Sequence, residues 1–92
     1  MNERDYARKW IERFKKDNLG VWIWNIPDSP VGRKPFDCVA CINGSFVAIE
    51  FKIKGRKLEL HQEWELNKVK KNGGIAKVIS FGKQGEIEEV IL

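Results

Sequence analysis

A chain of 92 residues has room for one domain and not two, so we expect a single domain over residues 1–92. A hydrophobic content of 42% with 33% charged residues predicts a folded, soluble protein, and no apolar run approaches the ~18 residues that span a bilayer. The net charge of +4 favours an anionic partner, with nucleic acid first. The charged first residues, with no apolar signal segment after them, predict a cytoplasmic protein, of cellular or phage origin.

The first third of the chain predicts a helix, a strand and a loop. Residues 2–18 carry apolar side chains at helical spacing, with lysines and arginines opposite, which predicts an amphipathic helix. Residues 21–26 are apolar on both faces and predict a buried strand. A basic, turn-rich loop over residues 27–35 follows.

The rest of the chain predicts four more strands and one helix. The dipeptide Asn43-Gly44 is the strongest short signal for a hairpin turn, so the strands on either side of it are antiparallel. The elements are strands over 36–42 and 46–53, a helix over 58–72, and strands over 75–81 and 86–91. The order α-β-β-β-α-β-β predicts an α/β protein with a mixed sheet.

The second strand of the hairpin carries the most informative residues of the sequence. Glu50 and Lys52 share one face of this strand because successive side chains alternate. Taken alone, this pair is a weak signal and is better explained as the exposed face of an amphipathic strand with a cross-strand ion pair. Asp37, however, begins the antiparallel partner strand, so its carboxylate can lie near that of Glu50. Two carboxylates that close repel each other and favour a hard divalent cation such as magnesium, which takes few protein ligands.

Two polar residues interrupt the apolar stripes of the predicted helices. Gln62 lies on the stripe of the second helix that faces the sheet, and a buried amide needs hydrogen-bond partners. It either caps the local backbone or reaches towards Glu50 and Lys52. Glu3 heads the apolar stripe of the first helix, so it is the helical carboxylate best placed to join the same site.

This combination of residues resembles the PD-(D/E)xK nuclease superfamily. The resemblance rests on the αβββαβ order, on Asp37 followed by Glu50-Phe51-Lys52, and on the later Gln62, and it covers roughly residues 3–81. Within the superfamily the chain looks most like the small Holliday-junction resolvases and the virus-type replication-repair nucleases. Leu60-His61-Gln62 followed by Gly73-Gly74-Ile75 is similar to the bacterial junction resolvases. The chain departs from many members in having Phe36 between Pro35 and Asp37.

The resemblance implies a restriction-endonuclease-like αβββαβ core with an extra C-terminal strand. It implies a structure-selective DNA endonuclease that depends on Mg²⁺ or Mn²⁺, acts in DNA recombination or repair, and resolves Holliday junctions. Asp37 and Glu50 would bind the metal, helped by the Phe51 carbonyl and by Glu3. Lys52 would orient the attacking water or neutralise the transition state, and Gln62 would position Lys52 or the water. Residues that would hold phosphates of branched or duplex DNA are Arg33, Lys34, Lys54, Arg56 and Lys57.

Two apolar residues on the outer face of the second predicted helix favour a homodimer. Leu60 and Trp64 lie opposite the core stripe, and a second subunit would cover them. Other functions stay open for this sequence. One is a basic nucleic-acid-binding module without chemistry; another is a nickase, flap nuclease or exonuclease of phage replication. The presence of Asp37, Glu50, Lys52 and Gln62 together argues against the first, because binding alone needs no paired carboxylates facing a phosphate.

Overall fold

The structure, a computed structural model, describes residues 2–28, 30 and 32–92. Ser29 and Val31 of the predicted loop lie outside the described residues, as does Met1. The elements are α1 (Glu3–Asp17), β1 (Trp22–Asn25), β2 (Cys38–Ile42), β3 (Ser45–Ile53), α2 (Leu60–Lys71), β4 (Ile75–Phe81) and β5 (Ile87–Ile91). The predicted order, an αβββαβ core with an extra C-terminal strand, is confirmed.

All five strands form one mixed sheet in the order β1-β2-β3-β4-β5. The first three strands are antiparallel neighbours, β4 runs parallel to β3, and β5 returns antiparallel to β4. The predicted hairpin turn is present: Ile42 pairs with Ser45, and Asn43 and Gly44 take positive φ angles of 49° and 82°. Two successive positive φ angles match the twist of the flanking strands, which is why this dipeptide suits the turn.

The two helices cover opposite faces of the sheet. On the α1 face, the rings of Phe51 and Phe81 are stacked 5.8 Å apart, and Trp10 meets Phe51 edge-on at 5.5 Å. On the α2 face, Leu66 packs with small residues such as Ala48 and Ala76. The middle of β3 is therefore buried on both faces, and any polar side chain there must find a partner.

The prediction that the first strand is buried is wrong. Trp22 and Trp24 are 55% and 51% exposed, while Ile23 between them is half-buried on the α1 face. The physical reason is topological. Among the described strands β1 pairs with β2 alone, at one edge of the sheet, whereas α2 packs over β4, which lies beyond β3 from that edge. An apolar run cannot distinguish a central strand from an edge strand whose outer face is uncovered.

No helix in the described part of the chain is both long enough and apolar enough to cross a membrane.

Candidate active site

The register of the β2–β3 pair brings the two predicted carboxylates together. Cys38 pairs with Ile49, so Asp37, directly before β2, lies beside Glu50. The Asp37 backbone N–H donates to the Ile49 carbonyl at 3.1 Å, which continues the ladder past the end of β2. The Phe51 N–H donates to Asp37 Oδ2 at 2.8 Å. The aspartate carboxylate is thus held against the backbone of β3 with its other oxygen, Oδ1, left for other partners.

Glu50 is a buried carboxylate with one oxygen unpaired. Its side chain is 3% exposed, and its Oε2 accepts a hydrogen bond of 2.6 Å from Gln62 Nε2. Its Oε1 is buried and has no hydrogen-bond partner among the described residues. Burial, followed by the negative charge of Asp37, raises the pKa of Glu50 to about 8, although Lys52 opposes the shift. The site therefore contains a carboxylate that lacks sufficient positive charge around it.

Each carboxylate has a lysine beside it. Lys52 Nζ lies 3.7 Å from Glu50 Oε2, with its side chain 15% exposed. Lys34 Nζ lies 3.2 Å from Asp37 Oδ1 and 3.1 Å from Asp28 Oδ1. Lys34 was predicted to hold DNA phosphates; in the structure it is a half-buried neighbour of Asp37. The sequence holds one sign of this contact. Lys34 and Asp37 are only three positions apart, with Pro35 between them, so the long lysine side chain can fold back onto the aspartate.

Gln62 makes both of the contacts that were left open as alternatives, the cap on the local backbone and the contact with Glu50. Its Oε1 accepts the backbone N–H of Glu59 at 3.1 Å, at the start of α2, and its Nε2 donates to Glu50 Oε2. Because the first contact fixes which end of the amide is the acceptor, the other end must be the donor that faces Glu50. The side chain therefore contacts Glu50, and its bonds do not include Lys52, the partner suggested by the family resemblance.

Glu3 and Phe51 border an open groove beside the site. The groove has a volume of about 750 Å³, and its lining includes Glu3, Lys34, Asp37 and Phe51. The negative charge of Glu3 is close enough to add to the upward shift of the Glu50 pKa. Within residues 2–28, 30 and 32–92, however, no three His, Cys, Asp or Glu side chains come together as a group that could hold a metal ion. Glu3 thus faces the site without forming a closed ligand set with the two strand carboxylates.

The other basic residues divide into paired and unpaired ones. Arg33 Nη1 lies 3.6 Å from Glu59 Oε2 and 3.2 Å from His61 Nδ1, so it contacts the start of α2. Lys54, Arg56 and Lys57 are exposed in the connection between β3 and α2, and none forms an ion pair with another described residue. We call residues 54–57 the basic connection. It follows directly after the strand that carries Glu50 and Lys52.

The chain shares its fold with a known resolvase. The structure of Hjc from the archaeal hyperthermophile Archaeoglobus fulgidus, a Holliday junction resolvase, superposes with a TM-score of 0.70 at 17% identity, covering 95% of this chain and 74% of that one. The protein SSO0001 superposes with a TM-score of 0.49 at 19% identity, over 95% of this chain and 48% of its own. No protein-family model and no curated protein matches the sequence. The resemblance inferred from the residues is therefore confirmed as a likeness of fold.

Proposed function

We propose that this chain is a metal-dependent DNA endonuclease that hydrolyses phosphodiester bonds, and that its substrate is a Holliday junction. One observation carries the proposal: Asp37 and the buried Glu50 lie side by side at the end of a hairpin, with Lys52 next to Glu50. A buried carboxylate is costly, so a binding module without chemistry has no reason to retain one there. The fold shared with an archaeal resolvase supports the choice of junction DNA.

The residues present fit a divalent cation. Glu50 Oε1 has no hydrogen-bond partner among the described residues, and it lies next to a second carboxylate, that of Asp37. Hard cations such as Mg²⁺ and Mn²⁺ prefer such oxygens and keep several waters as their remaining ligands. Asp37 and Glu50 would hold the ion, with Glu3 and the Phe51 carbonyl as further oxygens at the groove. When bound, the ion would acidify a water molecule and stabilise charge on the scissile phosphate.

The side chains around the carboxylates have distinct roles in this proposal. Lys52 is a nearly buried ammonium, and its charge would offset the negative charge that develops on the phosphate during hydrolysis. Gln62 acts through Glu50: its Nε2 hydrogen bond holds Glu50 Oε2, so that the Oε1 oxygen keeps one orientation. Gln62 is therefore a positioning residue, whereas Lys52 would contact the substrate.

We assign phosphate binding to the basic connection. Lys54, Arg56 and Lys57 are exposed and lie directly after the strand that carries the site. Contacts of this kind neutralise the backbone and position DNA without reading its sequence. Arg33 is a weaker candidate, since its guanidinium already contacts Glu59 and His61.

Cleavage at two symmetric positions in a junction requires two sites, and we propose that a homodimer supplies them. Leu60 and Trp64 on the outer face of α2 are 86% and 57% exposed, which is costly for apolar side chains that no partner covers. Light scattering at micromolar concentration should give the mass of a dimer for the parent protein and that of a monomer for Trp64→Glu. A monomeric parent would contradict this part of the proposal.

A cleavage panel tests the substrate. Four-way junctions, flaps, linear duplexes and single strands of matched sequence should be incubated with the protein and Mg²⁺, and again in chelator. We expect junctions to be cut in preference to the other DNAs, and no cutting in chelator. Preferential cutting of flaps or single strands would favour a nickase or flap nuclease. Tight binding of DNA without cutting in the presence of Mg²⁺ would favour a binding module.

A further inference from the structure

The geometry points to Lys34 as a built-in counter-cation of the site: its ammonium pairs with Asp37 Oδ1, an oxygen that a divalent cation would also bind, so that the metal competes with Lys34 and displaces it. The inference rests on the proposed function, because it concerns the same carboxylates. It adds that the metal affinity of these carboxylates is lowered by a side chain in the loop before β2.

The two oxygens of Asp37 have different partners among the described residues. Oδ2 accepts the Phe51 N–H at 2.8 Å, while Oδ1 receives no backbone N–H from these residues and lies 3.2 Å from Lys34 Nζ. The side chains of Lys34 and Asp37 are 29% and 21% exposed, so water screens their ion pair only in part. An ammonium at Oδ1 repels a divalent ion that approaches the same oxygen, so the two cations compete for it.

Lys34 differs in this respect from Lys52. Lys52 is fixed on β3 and lies 3.7 Å from Glu50 Oε2, the oxygen that Gln62 also occupies. It leaves Glu50 Oε1 free. Lys34, in contrast, contacts Asp37 Oδ1, the oxygen at which it competes with the ion. It lies in the loop between β1 and β2, so its long side chain can move without disturbing the sheet.

A displaced Lys34 ammonium has other acceptors within reach. Asp28 Oδ1 lies 3.1 Å from Nζ, and the Ile26 carbonyl lies 3.4 Å from it. Asp28 is 79% exposed at the mouth of the groove. The ammonium can therefore leave Asp37, retain one charged partner and stay at the groove, where it would meet an incoming phosphate.

Metal binding, measured without DNA, tests the inference. Isothermal titration with Mn²⁺ should be performed on the parent and on Lys34→Met, which keeps a long apolar side chain and removes the ammonium. We expect Lys34→Met to bind Mn²⁺ about tenfold more tightly, because the competitor and its repulsion are both gone. In chelator the same variant should melt at a lower temperature than the parent, since Asp37 then lacks its counter-charge, and Mn²⁺ should raise its melting temperature more than that of the parent.

Lys70→Met is the matched control, since it removes the same charge from an exposed position of α2 to which no role in the site is assigned. Its Mn²⁺ affinity should stay within about twofold of the parent, because water and salt screen exposed charges. Equal or weaker Mn²⁺ binding by folded Lys34→Met, with normal binding by the parent, would overturn the role of Lys34 and leave the proposed function standing. Absence of Mn²⁺ binding in the parent and both variants would overturn the proposed function and this inference together.

Discussion

The two faces of β3 differ in the side chains that they bury: one buries apolar groups and the other a carboxylate. On the α1 face, Ile49 and Phe51 are buried in a continuous aromatic and aliphatic core, where every contact stabilises the fold. On the other face, Glu50 is equally buried, but one oxygen of its carboxylate has no hydrogen-bond partner among the described residues. Three consecutive residues of one strand thus include buried apolar side chains, which stabilise the fold, and a buried carboxylate, which destabilises it.

Rigid packing on the α1 face supports the unfavourable burial of a carboxylate on the other face. The ring of Phe51 is locked between Trp10 and Phe81, while its backbone N–H holds Asp37. The same residue therefore anchors the core and orients the site. Substitutions on the α1 face should lower stability before they change chemistry, and substitutions on the Glu50 face should do the reverse.

The largest effect on stability should come from Phe81→Ala. Phe81 is 1% exposed and stacks with both Tyr6 and Phe51, at ring distances of 5.3 and 5.8 Å. Truncation of a buried phenylalanine costs about 3–5 kcal/mol, a large part of the total stability of a small domain. Urea denaturation should measure the loss, with Leu19→Ala, at a position 90% exposed, as a control that changes little. A loss below 1 kcal/mol for Phe81→Ala would contradict the rigid α1 face.

Gln62→Leu should act mainly on catalysis. The variant removes the donor to Glu50 Oε2 and the acceptor of the Glu59 N–H. We expect cleavage to fall by roughly 10²-fold through misplacement of Glu50, with a stability loss of only about 1 kcal/mol. A double-mutant cycle with Glu50→Gln isolates the contact, and the stability effect of Gln62→Leu should shrink when Glu50 has lost its charge. Additive effects would show that Gln62 does not act through Glu50.

Glu50→Gln should make the protein more stable in chelator at alkaline pH. The folded-state pKa of Glu50 is raised from 4.5 to about 8, so the folded protein holds this proton more tightly than the unfolded chain does. In the parent, this contribution to stability is therefore lost as the pH rises from about 4.5 to 8. At pH 8 the neutral amide should gain about 1–3 kcal/mol, or several degrees in melting temperature.

Thermal melts at pH 5 and pH 8 provide an internal control for this variant. At pH 5 the parent carboxyl is already protonated in the folded state, so the two proteins should melt at similar temperatures. A stability gain of equal size at both pH values, or no gain at pH 8, would mean that Glu50 is not a charge held at a cost.

Much of the fold follows from local signals in the sequence. Asn43-Gly44 fixes the hairpin because its residues accept positive φ angles, and the hairpin fixes the register that places Asp37 beside Glu50. The helical stripe of α1 and the parallel β3–β4 pair follow from periodicity and from the helix between those strands. These features depend on residues close in sequence or on side-chain alternation.

Other features depend on contacts that periodicity does not encode. The exposure of Trp22 and Trp24 follows from which strands a helix covers, and an apolar sequence is the same in either case. The contact of Lys34 with Asp37 depends on how a loop folds back, and the partner of Gln62 depends on the distance between α2 and β3. Secondary structure could therefore be predicted from the sequence, whereas contacts that depend on the reach of a side chain in three dimensions could not.

The most direct test of the account compares cleavage and binding in Asp37→Asn. The substitution keeps the shape of the side chain, leaves an oxygen to accept the Phe51 N–H, and removes the charge that would hold a divalent cation. With Mg²⁺ and a four-way junction, we expect cleavage to fall by at least about 10³-fold, while junction affinity stays equal or rises because a negative charge near the phosphates is gone. Full cleavage by folded Asp37→Asn would contradict the assignment of the active site.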